Sequence, residues 1–147
     1  MISTAAGTTK FHLLSIHFAG IYDEDPEIVT LNRADFDQIG SSERWFINFY
    51  SPQCSHCHQL APTWRKVARQ MEGVVRIGAI NCGDDWMLCR EHGIFSYPTL
   101  MFYPNRERYE GDRSEEPLIK FIMQRAVYKV HRVTAENYRA LSNDNEQ

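Results

Sequence analysis

The sequence predicts an α/β fold in which a mixed central β-sheet carries helices on both faces. Three observations predict it. Strand-like apolar runs alternate with stretches of helical period, the run at 45–50 is almost continuously apolar, and two later runs are close enough for a hairpin. A near-continuous apolar run is typical of a central strand, and strand–helix alternation is typical of parallel pairing. The hairpin adds antiparallel strands, so we expect a mixed sheet.

The chain is long enough for one domain with a substantial core, at 147 residues. Its net charge of −3 argues against a nucleic acid as partner. No apolar run approaches the roughly 20 residues that a membrane span requires. We divide the chain into an N-terminal extension (1–25), a folded domain (26–128) and a C-terminal segment (129–147).

The first half of the domain is predicted to hold two strands and two helices. Residues 28–31 form a short strand, and Asn32 caps the helix that follows it. Residues 45–50 form the central strand. Residues 57–71 have helical period, and we expect Pro62 to kink this helix.

The second half continues the alternation and then adds the hairpin. Residues 74–80 read as a strand, and 84–92 as a helix. Residues 99–103 and 106–109 form the hairpin, and Ser114 caps a final helix. The predicted apolar face of that helix consists of Leu118, Ile119, Ile122 and Met123.

Two cysteines lie at the predicted junction between the central strand and the next helix. Cys54 and Cys57 are separated by two residues, a spacing that can close a small disulfide and reopen it. The thiolate is the attacking form, and the N-terminus of a helix favours negative charge at Cys54. His56 can add a positive charge or a hydrogen bond. We therefore predict that Cys54 is the nucleophile and that Cys57, one turn into the helix, is the resolving thiol.

Three other interpretations of these cysteines compete with redox exchange. Cys54 to His58 also matches the C-x-x-C-H pattern of haem attachment, although nothing nearby resembles a haem pocket. The four cysteines could bind zinc, although the spacing of Cys82 and Cys89 is wider than usual. A purely structural disulfide is the third. The strand before the motif and the helix after it favour redox exchange.

Three short segments carry a family resemblance. Residues 49–62 resemble the active-site strand and helix of the thioredoxin superfamily, and closely those of the protein disulfide isomerases. Residues 96–100 resemble the cis-proline segment of that family. Residues 111–113 resemble its segment with an arginine that swings toward the resolving cysteine. The resemblance implies a thioredoxin fold, with the thioredoxin-like domain at 26–128.

The resemblance also implies roles for residues outside the cysteine motif. Pro98 in cis would place the backbone of Tyr97 beside Cys54, where an extended substrate strand could pair with it. Gln53, which stands where the family usually has tryptophan, would flank the cysteines on the substrate-facing surface. Arg113 would act on the resolving cysteine.

Asn48 departs from the family pattern, which usually buries a glutamate there to shuttle protons to the resolving cysteine. Asparagine can form hydrogen bonds but cannot titrate. Proton transfer to Cys57 would then pass through water, the neighbourhood of Arg113 or the substrate. This departure favours reduction over fast oxidase cycling.

Cys82 and Cys89 form a second pair across a short loop. A disulfide there would contribute about 2.5 kcal/mol on the loop-entropy model, and the secretory environment that the family implies would permit it. Two reduced, buried thiols are the alternative. We expect a structural disulfide, because a secretory environment would permit one. A second catalytic pair is not expected, since the spacing is too wide for fast exchange at one helix end.

Asn48, the Cys-Ser-His-Cys variant and residues 81–85 resemble one branch of the family, the endoplasmic-reticulum disulfide reductases that join a J domain to several thioredoxin-like domains. The resemblance implies a protein-disulfide reductase of the endoplasmic-reticulum lumen, acting on misfolded, cysteine-containing client proteins. The cysteines are the redox centre, so no metal or organic cofactor is needed. A disulfide isomerase or oxidase is one alternative. A module that binds clients and uses Cys54 only for capture is another.

Both ends of the chain bear on its organisation. Residues 11–19 resemble a weak signal-peptide core that two histidines interrupt, so we expect an extension or the remnant of a preceding region. Residues 130–141 repeat the pattern of residues 28–39. The repeat predicts that the chain continues into a further thioredoxin-like domain, with a simple terminal helix as the alternative.

Overall fold

The computed structural model describes residues 19–126. Its strands are β1 (Val29–Thr30), β2 (Trp45–Tyr50), β3 (Arg76–Asn81), β4 (Thr99–Tyr103) and β5 (Glu107–Tyr109). They form one sheet in the order β1-β3-β2-β4-β5. β3 pairs in parallel with β1 and β2, whereas β4 is antiparallel to both β2 and β5. The predicted mixed sheet is therefore confirmed.

The described helices follow the predicted order. They are α1 (Arg33–Asp37), α2 (Ser55–Gln70), α3 (Trp86–Glu91) and α4, which begins at residue 115 and is described to residue 126. The predicted cap of α1 is confirmed. The side chain of Asn32 accepts from the Asp35 N–H at 3.1 Å, and the Asp35 carboxylate accepts from the Asn32 N–H at 3.3 Å. This reciprocal pair satisfies two main-chain donors at the start of the helix.

β2 lies at the centre of the molecule, and all six of its residues are buried. Phe46 and Tyr50 belong to an apolar cluster with residues of α2 and α4. Trp45, Ile47 and Phe49 belong to a second cluster, with residues of α1 and α3. Because successive strand side chains point to opposite faces, helices cover both faces of the sheet, as predicted.

Residues ahead of β1 pack against the same face as α2. Tyr22 is 0% exposed, and its ring meets Tyr50 edge-on with the centroids 5.2 Å apart. The Ile21 N–H donates to the Tyr50 hydroxyl at 3.2 Å. Arg65 of α2 forms an ion pair with Asp25 at 2.8 Å. The packed unit therefore includes side chains on the N-terminal side of the expected domain boundary.

One detail of the sequence interpretation is wrong. Met123, predicted on the apolar face of α4, is 37% exposed, whereas Leu118 and Ile122 are fully buried. On the other face of the sheet, His92 is half-buried, and its ring meets Phe36 edge-on with the centroids 4.7 Å apart.

Some predictions lie outside the described residues. These are the N-terminal extension up to residue 18 and the segment 129–147 with its repeat of the domain opening. Between residues 19 and 126, no helix combines the length and the apolar character needed to cross a membrane.

Candidate redox site

Cys54 and Cys57 lie between the end of β2 and the first turn of α2. Cys54 occupies the N-cap position of α2 with an extended backbone, and the Cys57 N–H donates to the Cys54 carbonyl at 3.1 Å. Both are free thiols; Cys54 is half-buried and Cys57 is 0% exposed. An accessible thiol therefore precedes a buried one, and the two are held one helical turn apart.

Burial dominates the chemistry of Cys57. The pKa of this thiol is raised to about 12, chiefly by burial; a hydrogen bond with the Ser51 main chain lowers it, a hydrogen bond with Cys54 raises it, and the positive charge of Arg113 lowers it. Cys57 is consequently protonated near neutral pH. It must lose that proton before it can attack a disulfide, because the thiolate is the nucleophile.

The segment before β4 faces the accessible thiol. The Tyr97–Pro98 peptide bond is cis, and the Cys54 thiol donates to the Tyr97 carbonyl oxygen at 3.4 Å. Pro98 is buried, while the Tyr97 side chain is half-buried and packs against both apolar clusters. The main chain of this segment thus borders the sulfur that a substrate would reach first.

The remaining predicted site residues are exposed around this centre. Arg113, between β5 and α4, donates from Nη2 to the Pro98 carbonyl oxygen at 3.3 Å. Gln53 and His56 are exposed on either side of Cys54 along the chain. The structure therefore brings Arg113 to the cysteines through the proline segment and leaves Gln53 and His56 open to solvent.

Asn48 is fully buried within β2. Its amide nitrogen donates to the Tyr22 hydroxyl at 3.0 Å, whereas its amide oxygen has no hydrogen-bond partner among residues 19–126. Strand alternation places Asn48 on the face of Phe46 and Tyr50, the face that α2 covers. A polar group that cannot ionise therefore lies on the face of the sheet whose apolar cluster contains Cys57.

Sequence reasoning missed Tyr22. Burial raises the pKa of its phenol, and negative charge on Cys57 raises it further. The phenol is therefore within electrostatic reach of the resolving thiol. Tyr22 precedes β1 and belongs to no periodic pattern, so no signal in the sequence singled it out.

Cys82 and Cys89 form a disulfide with their Cα atoms 5.9 Å apart. Both belong to the cluster beneath α1 and α3, so the sheet separates them from Cys54 and Cys57. In this state the two sulfurs are bonded to each other and are not available as thiolate ligands. In the described part of the chain, no three histidine, cysteine or carboxylate side chains are grouped to hold a metal ion.

An accessible thiol at a helix N-terminus, a buried thiol one turn later and a cis-proline segment against them define a thioredoxin-type protein. The sequence profile described as Thioredoxin matches residues 27–124, and the chain belongs to the thioredoxin family. The predicted resemblance to that superfamily is confirmed.

Named relatives refine the placement within the family. The chain is 53% identical to DnaJ homolog subfamily C member 10 of Rattus norvegicus over 123 residues, which are 81% of this chain and 16% of that protein. It is 32% identical to protein disulfide-isomerase A6 of Mus musculus over 107 residues, 69% of this chain and 24% of the relative. The chain thus spans about a sixth of the first relative's length.

A solved structure supports the same placement within the family. The crystal structure of the J-Trx1 fragment of ERdj5 superimposes with a TM-score of 0.69 at 56% sequence identity. The match covers 72% of this chain and 53% of the fragment. Together with the relatives, it confirms the predicted similarity to J-domain-containing members and to protein disulfide isomerases.

Proposed function

We propose that this domain is a protein thiol–disulfide oxidoreductase that acts as a protein-disulfide reductase. The observation that carries the proposal is the pairing of a half-buried Cys54 thiol with a buried, protonated Cys57 thiol one helical turn later. The similarity to DnaJ homolog subfamily C member 10 and to protein disulfide-isomerase A6 supports it.

The reaction needs only the two cysteines. The Cys54 thiolate attacks one sulfur of a client disulfide, which forms a mixed disulfide and expels the other client sulfur as a thiolate. Cys57 then loses its proton and attacks the Cys54 sulfur, so the second client sulfur leaves. The client gains two electrons and two protons as two thiols, and the domain is left with a Cys54–Cys57 disulfide. An external dithiol or glutathione returns it to the reduced form.

Contacts around Cys54 provide a surface for an extended client. The Tyr97 main chain, held beside Pro98, would pair with a client strand through its backbone and so accept many sequences. Gln53 borders this surface as an exposed side chain. His56 and Arg113 act as positioning residues for the thiols, His56 from the exposed side and Arg113 through Pro98.

Asn48 and the family branch support our preference for the direction of exchange. A buried amide cannot act as an acid or a base for Cys57, and this departure from the family pattern counts against fast oxidase cycling. The branch is that of ERdj5, whose J-Trx1 fragment is 56% identical to this chain over the matched residues. We therefore favour reduction of client disulfides over their formation.

The cellular setting is part of the same proposal. The domain, expected over residues 26–128, works in the endoplasmic-reticulum lumen on misfolded, cysteine-containing clients. A J domain and further thioredoxin-like domains are its partners within a longer chain, into which residues 129–147 lead.

The decisive measurement is the equilibrium potential of the Cys54–Cys57 couple, titrated against glutathione, with the Cys82–Cys89 peptide followed separately by mass spectrometry. A value near or below about −200 mV supports a reductase. A value near or above about −150 mV would identify an oxidant or isomerase instead.

Client trapping tests the two-thiol reaction itself. Cys57→Ser should accumulate a mixed disulfide between Cys54 and a disulfide-bonded model client such as insulin, and Cys54→Ser should accumulate none. If Cys57→Ser captured the client as well as the unaltered domain, and neither released reduced client, the domain would use no resolving thiol. It would then be a client-binding module that uses Cys54 for capture.

A further inference from the structure

We infer that Tyr22 and Asn48 are positioning residues for the resolving step, holding the water molecule through which Cys57 gives up its proton. This inference rests on the proposed function, because it concerns the attack of Cys57 on the mixed disulfide. A phenol hydroxyl and an amide would together do the work for which the family usually employs a buried carboxylic acid.

The buried amide of Asn48 has only one of its two ends hydrogen-bonded among the described residues. Asn48 is 0% exposed and one end of its amide contacts the Tyr22 hydroxyl, while the other end is unpaired among the described residues. Turning the amide over would exchange the two ends and leave one of them unpaired all the same. A buried polar group without a partner costs about 1–3 kcal/mol, and an ordered water is the usual way to satisfy it.

The hydroxyl of Tyr22 can hold a water molecule beside this amide. It accepts from the Asn48 amide, so its own hydrogen is available for another acceptor. A water held between this hydroxyl and the open amide end would have two protein partners, within the two to four that buried waters commonly have. Burial keeps the phenol neutral, so Tyr22 orients the water through a hydrogen bond and does not ionise.

The neighbours of Tyr22 hold it in place. Its ring lies edge-on to Tyr50 with the centroids 5.2 Å apart, and the Arg65 guanidinium carbon lies 5.6 Å from the Tyr22 ring centroid. Arg65 is in turn tied to Asp25 and to the Ile21 carbonyl oxygen, at 2.8 and 3.0 Å. The segment ahead of β1 is therefore fixed on α2, the helix that carries Cys57.

The resolving step needs such a water because Cys57 must lose its proton before it attacks. Cys57 belongs to the same buried cluster as Tyr22. Among the described residues, the titratable and charged groups coupled to Cys57 include Cys54, Arg113, Tyr22 and Tyr50. None of these four is a carboxylate, and a bound water would give the proton a path out.

The step balances without a further reagent. Cys57 first gives up its proton through the water to the solvent, and the thiolate attacks the Cys54 sulfur of the mixed disulfide. The Cys54–Cys57 bond forms as the bond from Cys54 to the client breaks. The departing client thiolate takes up a proton from the solvent, so the net product is a client thiol.

The test measures the resolving step alone. Reduced domain is mixed with excess oxidised glutathione and quenched in acid at successive times. Mass analysis then counts the Cys54–glutathione mixed disulfide and the Cys54–Cys57 disulfide separately, at pH 6 to 9. Tyr22→Phe keeps the ring and removes the hydroxyl, and we expect about tenfold slower resolution at pH 7 and a pH profile displaced to higher pH.

Tyr103→Phe is the matched control. It removes a buried phenol from the other face of the sheet, one whose hydroxyl contacts the Met101 sulfur and not Asn48. Its resolution rate should stay within about twofold of the unaltered domain. Thermal unfolding of both variants reports whether either change loosens the core.

Asn48→Asp provides the rescue. A carboxylate at this position can accept the proton itself, so Tyr22→Phe should slow the Asn48→Asp domain far less than it slows the unaltered one. Equal rates and pH profiles in Tyr22→Phe and the unaltered domain would overturn the inference and leave the proposed function intact. If the unaltered domain formed no Cys54–Cys57 disulfide from the mixed disulfide, the proposed function itself would fail.

Discussion

The guanidinium of Arg113 donates a hydrogen bond to the carbonyl oxygen of Pro98, with Nη2 and O 3.3 Å apart. The contact ties the chain between β5 and α4 to the proline segment beside the cysteines. From there the positive charge of Arg113 opposes the effect of burial on the pKa of Cys57.

Removing that charge should slow the resolving step. In Arg113→Ala the pKa of Cys57 rises further, and we expect resolution of the glutathione mixed disulfide to slow roughly two- to fivefold, the size of a solvent-exposed charge interaction. Arg113→Lys keeps the charge and should restore part of the rate. Superimposable pH–rate profiles for the unaltered domain and Arg113→Ala would show that this charge does not act on Cys57.

His92 should make the fold sensitive to mild acid. Burial lowers the pKa of His92, and the charge of Arg106 lowers it further. As pH falls below about 6.5, the unfolded chain binds a proton at this residue before the folded chain does. Stability is therefore lost from about pH 6.5 down to the lowered pKa of the folded state.

Urea unfolding at pH 8, 6 and 5 measures this loss. His92→Leu should lose less stability between pH 8 and pH 5 than the unaltered domain, since a leucine side chain cannot be protonated in either state. His56→Gln, altered at an exposed position, is the control and should lose as much as the unaltered domain. An equal loss in the His92 variant would place the acid sensitivity elsewhere.

The Cys82–Cys89 disulfide should stabilise the domain without serving its chemistry. The double variant Cys82→Ala with Cys89→Ala is expected to lose about 2.5 kcal/mol of unfolding free energy, through the greater entropy of its unfolded chain. Guanidinium unfolding without reductant measures it. Thiol exchange at Cys54 should continue at its usual rate, because the sheet lies between the two pairs. If the double variant kept its stability but showed slow thiol exchange at Cys54, the disulfide would serve the chemistry and not the stability of the domain.

The reciprocal cap of α1 offers a test of local stability. Asn32→Ala removes the acceptor for the Asp35 N–H and should cost about 1 kcal/mol. For a domain of this size that corresponds to a fall of about 4–8 °C in the unfolding midpoint. Asn32→Ser keeps a capping oxygen and should fall much less. If both variants melted together, the cap would contribute nothing measurable.

Local pattern explains why the fold and the thiol pair could be predicted. The apolar run of β2 and the cysteines directly after it lie within thirteen residues, so strand, helix start and reactive thiols could be read from neighbours in the chain. The reciprocal cap at Asn32 is likewise a short-range motif, with its two members three residues apart. Such features depend on contacts that the chain makes with itself nearby.

The features that could not be predicted depend on distant contacts. Tyr22 meets its partner Asn48 across 26 residues, and its segment has no period that would mark it as part of a core. His92 is half-buried because Phe36, far earlier in the chain, lies against its ring. Met123 has the spacing of the apolar face of α4. Helical period alone, however, does not show which residues of that face are covered by the rest of the domain.

The sheet is bordered by strands of only two and three residues, β1 and β5. Short outer strands present few unpaired main-chain groups, and charged Glu107 and Arg108 stand on one of them. We propose that this domain acts on unfolded clients, and its short edge strands are poorly suited to pairing with a client strand. Aggregation by strand addition is therefore discouraged. A client chain would instead approach the end of the sheet where Cys54 lies, and there its disulfide can be attacked.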